Sequence, residues 1–109
     1  CHNLSSVNFS GVDTSKVTSM DSMFTSCYGL TSLDLSSFTN IPTAEEMFSD
    51  CINLVDLNIK NATLPTKEYT NMFTGNNENI TAKVKGNTSK NYIDKMLASA
   101  NGGTVIISN

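Results

Sequence analysis

Hydrophobic and polar residues follow one pattern that recurs several times along the chain. A methionine followed by Phe or Leu recurs at intervals of 24, 25 and 24 residues, as Met23-Phe24, Met47-Phe48, Met72-Phe73 and Met96-Leu97. Ten residues after each methionine stands another apolar residue, in turn Leu33, Leu57, Ala82 and Ile106. Self-similarity at a period of about 20 to 50 residues is typical of repeat architectures. The sequence therefore predicts an array of similar units.

Each unit is predicted to hold one strand and one short helix. Apolar and polar residues alternate around residues 7–9, 33–35, 57–59 and 82–84, which is typical of half-buried strands. Five apolar residues of the first complete unit have the spacing of one helical face, namely Val17, Met20, Met23, Phe24 and Cys27. In the next unit, Thr43 and Glu46 have the spacing of a capping box, which predicts a helix start at Thr43.

The last part of the chain departs from the pattern. Its apolar residues predict a longer helix at about residues 90–99, with Ile93, Met96, Leu97 and Ala100 on one face. The run Asn101-Gly102-Gly103 ends that helix, and Thr104–Ile107 is predicted as a closing strand. Terminal units of repeat proteins are commonly atypical, because one of their faces meets water. We interpret this region as a C-terminal capping repeat, whereas the chain opens in the middle of a repeat and is predicted to be truncated at its N-terminal end.

One strand and one short helix cannot bury an apolar face alone, but stacked copies can. Stacking places Leu57 between Leu33 and Ala82 in neighbouring parallel strands, and lines up Phe24, Phe48 and Phe73 inside the core. We predict a single α/β solenoid domain over residues 1–109. Its four units cover residues 1–26, 27–50, 51–75 and 76–109, with a parallel β-sheet on one side and short helices on the other.

Three stretches resemble a known family, the BspA-like leucine-rich repeat of bacterial surface proteins and lipoproteins. They are Thr14-Ser15-Lys16-Val17-Thr18-Ser19-Met20, Ser22-Met23-Phe24-Thr25-Ser26-Cys27 and Leu33-Asp34-Leu35-Ser36-Ser37-Phe38. The resemblance is close over residues 1–59 and weaker over 60–109. It implies a leucine-rich-repeat-like solenoid, an extracellular location at the bacterial cell surface, and adhesion to a protein partner, of which a host or extracellular-matrix protein is one candidate.

The net charge of the chain and its distribution limit the kinds of partner that we expect. The net charge is −3 and the chain contains no arginine, so it is poorly suited to nucleic acid, whose phosphates are usually contacted by Arg and Lys. Residues 1–54 carry a net charge of −5 and residues 55–109 carry +2, which predicts an acidic end and a basic end. No run of apolar residues is long enough to insert this segment into a membrane. We expect a monomer.

The three cysteines, Cys1, Cys27 and Cys51, occupy one column of the pattern. A disulfide between neighbouring copies is conceivable, but the count is odd and Cys is often a plain buried residue, so free buried thiols are the favoured interpretation. No zinc site is expected, since CxxC spacing is absent and His2 is the sole histidine. His2 also has no recurring nucleophile as a partner, and we expect no enzyme, no cofactor and no metal.

The outward face of the sheet is the predicted binding surface. Its columns combine small polar and charged side chains, and the residues that we select as a protein-binding site are Asp34, Asp56, Asn58, Lys60, Lys83 and Lys85. An extended regular face is the usual docking surface of solenoids. The sequence thus favours a non-enzymatic protein-binding module. The alternative is a structural spacer that presents another domain and has no ligand of its own.

Overall fold

The structure is a computed structural model, and it describes residues 16–108. Its elements in chain order are β1 (Ser32–Asp34), β2 (Asp56–Asn58), β3 (Thr81–Val84), α1 (Asn87–Ala98) and β4 (Thr104–Ile107). The four strands form one parallel sheet in the order β1-β2-β3-β4, so each strand pairs with the next one along the chain. The predicted parallel α/β arrangement is confirmed, and the predicted strand at residues 7–9 lies outside the described residues.

The register of the sheet places equivalent apolar residues side by side. Leu33 pairs with Leu57, Leu57 with Ala82, and Ala82 with Val105, and all four side chains are buried. The period of the sequence aligns Ile106 with these residues, but Val105 takes the fourth position and Ile106 is 46% exposed. A shift of one residue moves a side chain to the other face of a strand.

The turn before β4 accounts for this shift. Gly102 and Gly103 both have positive φ, at 83° and 159°. A Cβ on Gly103 would lie 2.6 Å from Ile80 Cγ2 and 3.1 Å from Leu97 Cδ1, so only glycine lets the backbone pass this close to the core. This tight passage brings Val105, one residue earlier than the period predicts, into line with Ala82.

The segments that carry the phenylalanines are successive tight turns, and the predicted short helices are wrong for residues 17–76. Each of these turns holds residues with positive φ, namely Ser22, Ser26, Glu46, Asp50 and Gly75. The Met23 N–H donates to the Met20 carbonyl three residues back, whereas the next N–H, of Phe24, donates to the Met47 carbonyl at 2.9 Å. An α-helix needs every N–H for its own i−4 carbonyl. Here alternate N–H groups bind the neighbouring segment, so a helix cannot form.

The capping box at Thr43 is also wrong, for the same reason. Glu46 has a φ of 54°, which is incompatible with the first turn of a helix. The Thr43 hydroxyl accepts the Met20 N–H at 2.9 Å, and the Asp21 carboxylate accepts the Glu45 N–H at 3.0 Å. These polar side chains therefore join two segments that lie 23 or 24 residues apart in sequence.

A stack of three aromatic rings runs through the core. The ring centroids of Phe24 and Phe48 lie 5.7 Å apart, those of Phe48 and Phe73 lie 5.4 Å apart, and the rings are nearly parallel. The predicted phenylalanine ladder is confirmed. Two members of the predicted helical face are not buried, however, since Val17 is 36% and Met23 44% exposed. Consecutive turns point fewer residues inward than a helical stripe would.

Asparagine side chains fasten neighbouring segments to each other. The side-chain amides of Asn53, Asn61 and Asn77 donate to backbone carbonyls 25 residues earlier, at 2.7, 2.6 and 3.2 Å. Asn76 and Asn101 are joined by two hydrogen bonds, from the Asn101 N–H to Asn76 Oδ1 and from Asn101 Nδ2 to the Asn76 carbonyl. The abundance of asparagine thus has a structural cause. Its side-chain amide donates to backbone carbonyls in the turns, which have no partner in the sheet.

The cysteines differ from the favoured interpretation. Cys27 is disulfide-bonded, Cys51 is a buried free thiol, and Cys1 lies outside the described residues. The Cys51 thiol donates to the Phe24 carbonyl at 3.0 Å. Burial raises the pKa of Cys51 to about 11, so the thiol stays protonated at neutral pH. The prediction of free buried thiols therefore holds for Cys51 and is wrong for Cys27.

The single α-helix of residues 16–108 begins earlier than predicted. α1 covers Asn87–Ala98 rather than residues 90–99, and buries Ser89, Ile93, Met96 and Leu97. Its apolar stripe packs against β3 and β4. The helix ends through hydrogen bonds from the Ser99 and Gly102 N–H groups to the carbonyls of Lys95 and Leu97. α1 therefore covers the core beside the last two strands.

Candidate functional site

The outward side chains of the first three strands form two columns across the sheet. One column is Ser32, Asp56 and Thr81, and the other is Asp34, Asn58 and Lys83. Directly opposed residues in neighbouring strands point to the same face, so each column is continuous. This register is the one that stacking Leu57 between Leu33 and Ala82 implies. Asp34, Asp56 and Lys83 are exposed, and Asn58 is half-buried.

The columns enclose a shallow hollow of about 240 Å³. Four of the six selected site residues line it, and its lining is Ser32, Leu33, Asp34, Asp56, Asn58 and Lys83. The hollow therefore carries two carboxylates, one ammonium group and two neutral polar side chains. Such a mixture can hold polar and charged groups through hydrogen bonds and complementary charge, and it offers little to an apolar ligand.

Two of these residues also shape the ends of their strands. Asp34 Oδ1 accepts the Ser36 N–H at 2.9 Å, and Asn58 Oδ1 accepts the Lys60 N–H at 3.1 Å. A side-chain oxygen that binds the N–H two residues on forms an Asx turn, which stops the strand. Asp34 and Asn58 are thus fixed in place by the fold, while their second polar atoms remain at the surface.

The hydrogen bonds and the charges around Asp34 favour its ionised form. Hydrogen bonds from the hydroxyl and the N–H of Ser36, and the positive charges of Lys60 and Lys83, hold the pKa of Asp34 below its ordinary value. A carboxylate with a lowered pKa is charged throughout the physiological range. The hollow is accordingly a fixed pattern of negative and positive charge at neutral pH.

The remaining two selected residues lie beside the hollow rather than in it. Lys60 is half-buried and follows the Asx turn of Asn58, and its charge acts on Asp34. Lys85 Nζ donates to Thr63 Oγ1 at 2.9 Å and lines a different cleft. The structure brings Asp34, Asp56, Asn58 and Lys83 together, with Lys60 as an electrostatic neighbour. Lys85 is separate from them.

Residues 2–90 match the family described as "Mycoplasma protein of unknown function, DUF285". The match spans most of the chain. The chain belongs to the DUF285 family. The family that is found is therefore not the BspA-like leucine-rich repeat that the sequence resembles. No curated protein and no solved structure matches the chain.

The DUF285 match ends at residue 90, inside α1. The cleft that Lys85 lines is also formed at the start of α1. It lies between residues 63–66 and the start of α1, and Thr88, Ser89 and Tyr92 form its helical wall. These residues were not among the predicted site residues, because the predicted helix starts three positions later than α1 does. The signal was Gly86-Asn87-Thr88-Ser89, a glycine followed by residues that favour a helix N-terminus.

Across residues 16–108, no three His, Cys, Asp or Glu side chains come together in a way that could hold a metal ion. Over the same part of the chain, no helix has both the length and the apolar character needed to span a bilayer.

Proposed function

We propose that this chain is a non-enzymatic protein-binding module of a bacterial cell-surface protein, and that it acts in adhesion. The observation that carries the proposal is the outward face of the sheet, where Asp34, Asp56 and Lys83 stand in fixed register around a shallow hollow. Fixed charges of both signs favour a partner with complementary charges, and they raise the rate and the specificity of association.

We further propose that the fold is a segment of a leucine-rich-repeat-like solenoid. Residues 24 or 25 apart in sequence pair across β1, β2 and β3, and the same spacing separates the stacked rings of Phe24, Phe48 and Phe73. Hydrogen bonds between neighbouring tight turns have a similar spacing, as from Phe24 to Met47. In this arrangement each unit contacts its neighbours in sequence, and the polar face grows with every unit.

The proposed location is the exterior of a bacterial cell, and the proposed partner is a host or extracellular-matrix protein. The resemblance to BspA-like surface proteins supports the location, and the word Mycoplasma in the family description supports a bacterial source. The chain itself is proposed to act as a monomer, without nucleic acid, cofactor or metal. The partner would dock on the sheet and leave the turns free.

The test is a binding assay of the chain against purified extracellular-matrix proteins. The face variant Asp34→Asn/Asp56→Asn/Lys83→Ser removes the charges of the hollow, while Asn at position 34 keeps the Asx-turn oxygen, as Asn58 shows. A matched control, Glu45→Gln/Glu78→Gln/Lys67→Ser, makes the same charge changes at exposed positions away from the hollow. We expect the face variant alone to weaken binding and to flatten its salt dependence.

A structural spacer is the second candidate, and one observation favours it. The outward residues of the four strands include no aromatic side chain and no arginine, in the part of the chain that the structure describes. Tyr, Trp and Arg are enriched among the residues that dominate binding energy. If the face variant binds every partner as the parent and the control do, the adhesive role of the sheet is refuted and the spacer is the better proposal.

A further inference from the structure

The cleft beside the start of α1 has the size of a small-molecule site. Its volume is about 470 Å³, within the range of about 300–1,000 Å³ that is typical of ligand pockets. Leu64, Pro65 and Tyr92 form its apolar part, and Lys85, Thr88 and Ser89 form its polar part. It is thus a pocket with one apolar wall and one polar end, unlike the charged hollow on the sheet.

Two hydrogen bonds fasten the walls of this cleft to each other. Lys85 Nζ donates to Thr63 Oγ1 at 2.9 Å, and the Tyr92 hydroxyl donates to the Lys67 carbonyl at 2.7 Å. Burial raises the pKa of Tyr92 to about 12, so its hydroxyl remains a donor at any physiological pH. Residues 63–67 are therefore held against the helix, and the cleft is formed before any ligand arrives, which lowers the entropic cost of binding.

The polar end of the cleft contains an uncapped helix N-terminus. The residue before α1 is Gly86, which has no side chain to cap it, and the first turn of α1 contains no acidic residue. The first N–H that finds a partner is that of Lys90, which donates to the Gly86 carbonyl. Free N–H groups and the helix dipole together attract an anion to such a position.

Ser89 gives independent support for a ligand. It is only 8% exposed, yet its hydroxyl makes no hydrogen bond to any other residue between 16 and 108. The same part of the chain has no side-chain polar atom that is both fully enclosed and unpaired, so the Ser89 oxygen must still be reachable from outside. The cleft is the opening that Ser89 lines. A hydroxyl that opens only into the cleft and has no protein partner is available to a water or to a ligand there.

We propose that this cleft binds a small organic carboxylate. No carboxylate lines the cleft, and Lys85 supplies the single ammonium group, which together with the helix dipole matches one negative charge better than two. The ligand carboxylate lies at the start of α1, where it accepts hydrogen bonds from the Ser89 hydroxyl and from N–H groups of the first turn. A compact apolar or aromatic body fills the space between Pro65 and Tyr92.

The first experiment is a titration of the intact chain with 3-phenylpropionate, followed by NMR of the backbone amides. The matched probe is 3-phenylpropionamide, which has the same body and no charge. We expect saturable shifts at Thr88, Ser89 and Lys90 with the carboxylate, and at least about tenfold weaker binding of the amide, which corresponds to the loss of one charge-assisted contact. Equal binding of the two probes, or no saturable shift at the start of α1, overturns the proposal.

A second experiment uses the helix start itself. Gly86→Asp places a carboxylate at the cap, and a Cβ at this position meets no atom within 4 Å. An aspartate cap stabilises a helix, so the variant is expected to fold at least as well as the parent. Because its own carboxylate occupies the free N–H groups, we expect it to lose binding of 3-phenylpropionate by about tenfold or more.

Two controls separate this effect from general ones. Gly86→Ala adds the Cβ without a carboxylate, and Asn91→Asp adds the same charge at an exposed position further along α1. Both are expected to bind 3-phenylpropionate within about twofold of the parent. If Gly86→Asp binds like these controls, the start of α1 is not the site. None of these changes touches the hollow on the sheet. If the cleft does not bind the carboxylate, that result does not count against the proposed docking face.

Discussion

At the scale of single residues, the most demanding positions are those with positive φ in the tight turns. Ser26, Asp50 and Gly75 stand at equivalent places in three neighbouring segments, and their φ values are 58°, 59° and 76°. The left-handed region costs a residue other than glycine about 1–2 kcal/mol. Two of the three segments accept that cost, because the hydrogen bonds between segments fix the turn. Only the third segment has glycine.

Gly75→Ala should lower the free energy of unfolding by about 1–2 kcal/mol, since alanine is strained at this φ. A Cβ here would also clash with Asp50 Oδ1, so the Asp50 side chain would have to move. Urea denaturation of the variant and the parent measures the effect.

Two other glycines separate the effect of backbone strain from the effect of the steric clash. Gly102 has a φ of 83° and open space around a Cβ, whereas Gly86 has open space and an extended backbone. The expected order of destabilisation is Gly75→Ala, then Gly102→Ala, then Gly86→Ala, which should be close to neutral. A Gly75→Ala variant as stable as Gly86→Ala would show that the backbone of the third turn is not held in this conformation.

At the scale of elements, the strands could be predicted and the tight turns could not. Alternation of apolar and polar residues identifies a strand directly, as in Leu33-Asp34-Leu35. Apolar residues three and four apart fit a helix, but they also fit consecutive turns closed by i to i+3 hydrogen bonds. Met20, Phe24 and Cys27 are buried in either arrangement. Only the direction of the alternate N–H groups distinguishes the two, and that direction depends on a neighbour 24 residues away.

The same distinction applies to the two candidate sites. Asp34, Asn58 and Lys83 could be aligned from the sequence, because the period fixes the register of the strands. The cleft at α1 could not, because Leu64-Pro65 and the helix start both interrupt the period. Where the chain stops repeating, the pattern no longer says which residues become neighbours.

The register of β4 yields a prediction at this scale. Val105 is 8% exposed and pairs with Ala82, whereas Ile106 is 46% exposed and pairs with Lys83. Val105→Thr buries a hydroxyl in the core and should cost about 1–3 kcal/mol of unfolding free energy. Ile106→Thr should change it by less than about 0.5 kcal/mol. The opposite ranking in thermal or urea denaturation would mean that β4 is shifted by one residue.

At the scale of the whole molecule, the described residues share one continuous core. It extends from Met20 in the first tight turn to Val105 in the last strand, and the three stacked phenylalanines run through it. Because the strands lie in sequence order, the acidic residues 16–54 lie toward the β1 end of the sheet and the basic residues 55–108 toward its other end. The buried core is continuous along the sheet, so every element contributes to its stability. The charge changes sign along the sheet, so a partner can be bound by one end alone.

Phe48 is the residue on which this shared core depends most, since it is fully buried between two other rings. Phe48→Ala should lower the free energy of unfolding by about 3–5 kcal/mol, the usual cost of truncating a buried aromatic side chain. Ile52→Ala, at a residue that is 47% exposed, is the control and should change it by less than about 0.5 kcal/mol.

The decisive readout of the Phe48→Ala variant is α1, which begins 39 residues further along the chain. Far-ultraviolet circular dichroism follows mainly this helix. In a Tyr69→Phe/Tyr92→Phe background, which is used for both the parent and the variant, tyrosine fluorescence follows Tyr28 in the earlier part of the chain. If one core supports both regions, the two signals should shift together to the same lower urea midpoint, as in a two-state transition. A helix that melts at the parent's midpoint while the fluorescence midpoint falls would divide the molecule into two independent cores. A total loss below about 1 kcal/mol would place Phe48 outside the core altogether.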